Sequence, residues 1–309
     1  MRSCLLLAAL LLAVSLPSLA FTPGYPEPSC EINRELYLAT PYLRGEDVRE
    51  LQERLRQLGF YRGKPDGVFN PRTEQALKRF QRARGLPETG RLPPEAWLSL
   101  AGEETPGTGG KAAGGKAAPP PGPLKILVDI SRLTLTVLSG EKPYRTYPIA
   151  IGKWHTPTPV GEFIIRDKEE NPGGAFGSRW MGLNVPWGSY GIHGTNRPWS
   201  IGSAASAGCI RMNNHDVEEI FPWIAVGTRV IIVGYEPEAT IYRLLQPGHT
   251  GTDVQYLQYR LRRAGFDPGP LDGWYGESLE KSVRELQLYY DLPVTGMAGS
   301  NELTVLGLK

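Results

Sequence analysis

The chain contains one pattern twice. Asp47 to Gly90 aligns with Asp253 to Gly296 at a constant offset of 206 positions and without a gap. "DVRELQERLRQLGF" from Asp47 meets "DVQYLQYRLRRAGF" from Asp253, "PDGVF" from Pro65 meets "LDGWY" from Leu271, and "GLPETG" from Gly85 meets "DLPVTG" from Asp291. An offset this regular marks two copies of one folding unit. The segment between them must then supply a core of its own, and the 309 residues are enough for that.

Each copy reads as a small helical bundle. Val48, Leu51, Leu55 and Leu58 recur at helical spacing, as do Val254, Leu257, Leu261 and Ala264. Gly59 and Gly265 stop that helix where the chain can turn through positive φ. Asp66-Gly67 and Asp272-Gly273 mark a tight turn. A second helix opens on Asn70 as cap with Pro71 at its first position. It carries Ala76, Leu77 and Phe80, matched in the second copy by Leu279, Val283 and Leu286. A short third helix near Glu95 to Leu100 closes the bundle. Units of about sixty residues sit near the lower limit for folding alone.

This pattern resembles the peptidoglycan-binding domain 1 family. Its marks are present as Val48-Leu51-Gln52-Leu55, Leu58-Gly59-Phe60, Asp66-Gly67-Phe69 and Phe80-Gln81. The second copy departs at Leu286-Gln287, where the aromatic is lost. The resemblance covers 43–101 and 243–309 and implies two all-α three-helix modules that bind the cell wall. A packing module that has lost its ligand is the alternative for either copy.

Two further segments are set apart by composition. Residues 1–20 begin Met1-Arg2, continue with the apolar run from Cys4 to Leu16, and end in "SLA". That is the layout of a secretory signal peptide cut near Ala20, with an uncleaved anchor as the alternative. Residues 102–123 are rich in Gly, Ala and Pro without apolar periodicity and read as a linker. Formal net charge is only +2, which argues against a broad basic surface for nucleic acid, and no Gly-rich phosphate loop is present.

Residues 124–234 change texture to strands. Ile126, Val128 and Ile130 alternate with other residues, as do Leu133, Leu135 and Val137. Gly140 joins the second of these to Tyr144–Ile151 as a hairpin. "TPTPVGEF" (Thr156 to Phe163) is a stiff entry to a strand at Phe163 to Ile165, and "NPGGAFG" (Asn171 to Gly177) is glycine-rich enough to read as a mobile flap. Tyr190 to Ile192 leads into His193, Val217, Ile220, Phe221 and Ile224 fit one helix capped by Asn213 or Asn214, and Thr228 to Val233 is a closing strand. The expectation is a mainly-β domain with one clear helix.

"SAASAGCIRM" (Ser203 to Met212) offers the candidate nucleophiles. Ser206 lacks the first glycine of a Gly-x-Ser-x-Gly elbow and the alternating βα context that motif needs. The Ser-x-x-Lys at Ser278 to Lys281 falls inside a helical repeat. His155, His193, His215 and His249 show no zinc-peptidase spacing, so no metal is expected, and His155, His215 and His249 read as surface residues. Cys209 remains. A free thiol has a pKa of about 8.5 and needs a neighbouring imidazole to ionise at neutral pH, and His193 lies sixteen residues upstream. The competing reading is a disulfide. Signal cleavage would leave Cys30 and Cys209, an even count outside the cytosol.

"HGTNRPWSIGSAASAGCIRM" (His193 to Met212) closely resembles the signature of the YkuD-type L,D-transpeptidase catalytic domain. His193-Gly194 and Ser206-Ala207-Gly208-Cys209-Ile210-Arg211 carry it, with Ala207 where many members have a second histidine. The resemblance implies a mainly-β catalytic domain between the two modules and a ping-pong acyl transfer on peptidoglycan stem peptides. Cys209 would form a thioester, His193 would act as base and then acid, and the Gly194 carbonyl would orient the imidazole. Amides at Gly208 and Cys209 are candidate oxyanion donors, Ser206 would hold the loop, and Arg211 would bind a substrate carboxylate or brace the site. The product would be a 3→3 crosslink, or a hydrolysed stem if water resolves the thioester. No cofactor is expected. The partner is peptidoglycan, without nucleic acid or membrane, for an exported monomer in the cell wall. A non-catalytic wall-binding protein with Cys209 bridged to Cys30 is the reading from another class.

Overall fold

A computed structural model describes residues 33–101 and 118–308. The signal-peptide expectation at 1–20, Cys30, and residues 102–117 of the expected linker lie outside the described residues.

The first module is built from α1 (Glu46–Gln57), α2 (Pro71–Ala83) and a 3₁₀ turn at Pro94–Leu100 in place of the expected third α-helix. Asn70 caps α2 as its sequence position suggests, accepting from the Arg72 and Thr73 amides. Gly59 ends the first helix at φ 84 and its counterpart Gly265 does so at φ 91. Val48, Leu51, Leu55, Leu77, Phe80 and Trp97 are among the residues that close a core of this module's own. Gln52 pins the turn from inside, donating to Asp66 and the Val68 carbonyl and accepting from the Asp66 and Gly67 amides.

The strands of the central segment are β1 (Leu124–Asp129), β2 (Thr134–Ser139), β3 (Lys142–Pro148), β4 (Ile151–Gly152), β5 (Gly161–Glu170), β6 (Arg179–Leu183), β7 (Gly191–His193), β8 (Ala204–Ser206), β9 (Ile210–Arg211) and β10 (Arg229–Val233), with one helix, α3 (Asn214–Ile220). Eight of them form one sheet in the order β3-β2-β1-β10-β5-β6-β7-β9, and β4 pairs with β8 separately. Pairs β1–β10 and β7–β9 are parallel, and the rest of the large sheet is antiparallel. The alternation of Ile126 and Val128 places both inward, against Val217 and Ile220 of α3 in the same core. That helix is shorter than its apolar spacing suggests. Pro222 has no amide to continue the helix ladder, and Phe221 and Ile224 are buried beyond the helix end.

The second module repeats the first with α4 (Thr252–Arg263), α5 (Glu277–Tyr289) and α6 (Ser300–Val305) around Val254, Leu257, Leu261, Leu279, Val283 and Leu286. Ala264, expected inward, is exposed at the helix C-cap. Both modules dock on the central β domain. Gln255 of α4 donates to the Val160 carbonyl and Arg262 pairs with Glu162 on β5. On the other side, Lys153 pairs with Glu46, and Asn196 donates to the Pro94 carbonyl.

Candidate active site

His193 is the last residue of β7, and the parallel register sets Ile192 opposite Ile210 and His193 opposite Arg211. Cys209 immediately precedes Ile210 at the start of β9, so it lies two positions along that strand from Arg211, the residue opposite His193. The Met212 amide donates to the His193 carbonyl and locks that register.

The imidazole is held on three sides. Its Nδ1 lies 2.5 Å from the Gly194 carbonyl oxygen. A carbonyl can only accept, so Nδ1 carries a proton, and in the neutral ring Nε2 is the acceptor. Trp180 of β6 stacks on the ring at 5.7 Å and 26°, and Phe176 meets it edge-on at 5.3 Å. Trp180 is itself fixed, its Nε1 donating to Asp167 Oδ1 at 2.9 Å. The antiparallel β6–β7 register sets Trp180 opposite His193.

The stretch 171–177, expected to be a mobile flap, is instead a packed cover. A 3₁₀ turn at Gly174–Phe176 buries Ala175 and seats Phe176 on the histidine. Its glycines permit the turn, since Gly173, Gly174 and Gly177 all have positive φ. Asn214, considered above only as a helix cap, ties this cover to the histidine strand. Its Oδ1 accepts from the Thr195 amide at 2.9 Å and the Ser178 amide at 3.2 Å, while Asn213 takes the cap position.

The cysteine turn is fixed by hydroxyls. Ser206 Oγ donates to the Cys209 carbonyl at 2.5 Å and accepts from the Gly208 amide at 3.1 Å. The Gly208 amide is therefore committed in this conformation, which removes it from the oxyanion donors expected there. Thr158 from the "TPTPVGEF" loop accepts from the Gly152 amide and donates to the Gly208 carbonyl, both at 2.8 Å. Gly208 has φ 123, and a Cβ there would lie 2.8 Å from the Tyr190 ring. Burial pushes the Tyr190 phenol up to about 12, so it stays neutral beside the turn.

Cys209 is 1% exposed and is the only cysteine among the described residues. It is disulfide-bonded. Arg211 is buried, and its guanidinium meets Glu50 of α1 at 3.1 Å. Of the remaining histidines, His155 and His215 are exposed as expected, but His249 is half-buried. No group of His, Cys, Asp and Glu among the described residues is arranged to hold a metal ion.

Fold and site together define a β-sheet domain that carries His193 and Cys209 at neighbouring strands, between two copies of a helical module. Residues 123–232 match the L,D-transpeptidase catalytic domain, and residues 44–100 and 250–306 match a peptidoglycan binding domain. A relative named L,D-transpeptidase YkuD from Bacillus subtilis is 51% identical over 110 residues, 36% of this chain and 66% of that one. Its namesake from Bacillus licheniformis is 45% identical over 131 residues, 40% of this chain and 78% of that one. Among solved structures, that of the catalytic domain of the E. faecium L,D-transpeptidase is 26% identical, covers 36% of this chain and 96% of that chain, and has a TM-score of 0.32. The chain belongs to the YkuD family of L,D-transpeptidases, with peptidoglycan-binding modules on both flanks.

Proposed function

We propose that the chain is an exported cysteine L,D-transpeptidase that forms 3→3 crosslinks between peptidoglycan stem peptides, with reduced Cys209 as nucleophile and His193 as base. The observation that carries this reading is the hydrogen bond of Nδ1 to the Gly194 carbonyl, which leaves Nε2 as the acceptor of the neutral ring. Nε2 takes the thiol proton, and the thiolate attacks the carbonyl of the stem's third residue. The C–N bond to the terminal D-residue breaks, the imidazolium returns the proton to the leaving amine, and a thioester remains. The side-chain amine of a second stem then attacks the thioester, gives its proton to Nε2, releases the thiolate and completes the crosslink. Water in place of that amine gives a tripeptide. Ser206 and Thr158 support this chemistry by fixing the turn on which the sulfur is carried. Arg211 acts as a brace, since its guanidinium faces Glu50 and is buried.

The disulfide on Cys209 favours a second reading, in which the sulfur is bridged to Cys30 and the chain serves as a wall-binding protein without catalysis. One experiment separates the readings. The mature protein is incubated with a purified disaccharide-tetrapeptide, with and without prior reduction, and products and intact protein are weighed. Crosslinked dimer lacking one D-alanine after reduction supports transpeptidation, and tripeptide alone supports hydrolysis. If the reduced protein makes neither, or Cys209→Ala retains activity, the catalytic reading fails.

A further inference from the structure

Arg211 ties the cysteine strand to something outside the catalytic domain. Its main chain is bonded in both directions to Ala150 at 2.9 Å, and it stands opposite His193 in the sheet. Its guanidinium is reached by Glu50 Oε1 at 3.1 Å, while Glu50 Oε2 lies 2.8 Å from Arg197 Nη1. Arg197 belongs to the loop that leaves the histidine, and its guanidinium also covers the Trp97 ring of the first module at 3.9 Å. One buried carboxylate therefore spans the two chain segments that follow His193 and Cys209, one oxygen to each.

The repeat shows that Glu50 is not needed to build the module. Residues that fix the module are shared by both copies. Asp47 and Asp253 pair with Arg34 and Arg243, and Gln52 and Gln258 bond Asp66 and Asp272. The counterpart of Glu50 is Tyr256, and the second module folds around the same core without a carboxylate there. The acid at position 50 answers to the catalytic domain.

We propose that Glu50 of the first peptidoglycan-binding module is a positioning residue of the active site, acting through Arg211 and Arg197 to hold the cysteine turn against His193. The module is then part of the enzyme as well as its anchor. This rests on the reading of Cys209 and His193 as the reacting pair.

The test uses the full mature chain after reduction, with Glu50→Gln, Arg211→Gln and the double variant. Three quantities are measured: the pH profile of Cys209 alkylation by iodoacetamide, the rate of thioester formation on the tetrapeptide, and binding to insoluble peptidoglycan. Glu50→Gln is expected to displace the alkylation profile and to slow thioester formation at least tenfold, with wall binding unchanged. The double variant is expected to be no slower than Arg211→Gln, because the two residues act in one chain of contacts. Glu50→Asp, which keeps the charge but withdraws the carboxylate, is read in the same way if Glu50→Gln does not fold. The proposal is overturned if Glu50→Gln keeps the wild-type alkylation profile and rate, or if the two substitutions multiply. A displaced alkylation profile in a protein whose wild type forms no peptide product would sink the catalytic reading and leave the positioning role standing.

Discussion

At the scale of the residue, the cysteine turn depends on hydroxyls with two duties each. Thr158 is 2% exposed and satisfies one buried amide and one buried carbonyl, on Gly152 and Gly208. Valine has nearly the same shape and can satisfy neither. A buried polar group left without its partner costs about 1–3 kcal/mol. Thr158→Val should therefore lower the unfolding free energy of the catalytic domain by about that amount in urea titration, with Thr158→Ser recovering most of it. Ser206 works in the same way between Gly208 and Cys209, so its place beside the sulfur is explained without a nucleophilic role. These bonds were half legible. The spacing from His193 to Arg211 is written in the sequence, and so is the shortage of side chains around Gly208. The Thr158 contact was not, because it joins positions fifty residues apart.

At the scale of the element, legibility followed the range of the interaction. The helices of both modules and strands β1, β2 and β10 have periodicities set by one buried face, and the chain states them directly. Strands β8 and β9 have three and two residues and no alternation to read, and each is defined by its partner alone. The cover at 171–177 was misread for a related reason. Its glycines signal conformational freedom, but here they let a tight turn form that carries Phe176 onto His193. Removing that ring should wet the imidazole without disturbing its bond to Gly194. Phe176→Ala is expected to retain thioester formation at a reduced rate and to shift products from crosslinked dimer toward tripeptide, as water gains access to the thioester. Chromatographic product ratios at matched conversion decide this, and an unchanged ratio would mean that the cover does not control solvent entry.

At the scale of the whole molecule, three separate cores meet, and the two junctions differ in kind. The first module is joined by the buried Glu50 bridge, while the second relies on Gln255, on the Glu162 amide donating to the Leu271 carbonyl and on the Glu162 pair with partly exposed Arg262. Exposed pairs are worth about 0–1 kcal/mol each, so the second module is the one free to melt by itself. Its only histidine is His249, and the described residues of the first module contain none. Burial lowers the His249 pKa, Arg243 lowers it further, and Asp253 opposes them without prevailing. The unfolded chain takes up this proton near the ordinary value of about 6.5, and the folded module takes it up only at lower pH. Between those two values the unfolded state binds more protons, so stability falls as pH falls through that window. Calorimetry at about pH 7.5 and about pH 5.5 should show the second module's transition moving to lower temperature in acid, either side of the ordinary histidine value. The first module's transition should hold its place, since its Asp66 carboxyl responds only in stronger acid. Burial alone would raise that carboxyl, but the Val68 amide and the Gln52 side chain outweigh it and keep it below the ordinary range. His249→Gln, which cannot be protonated in this range, should abolish the shift. A second-module transition that moves equally in wild type and His249→Gln would assign the acid sensitivity to the junction with the catalytic domain.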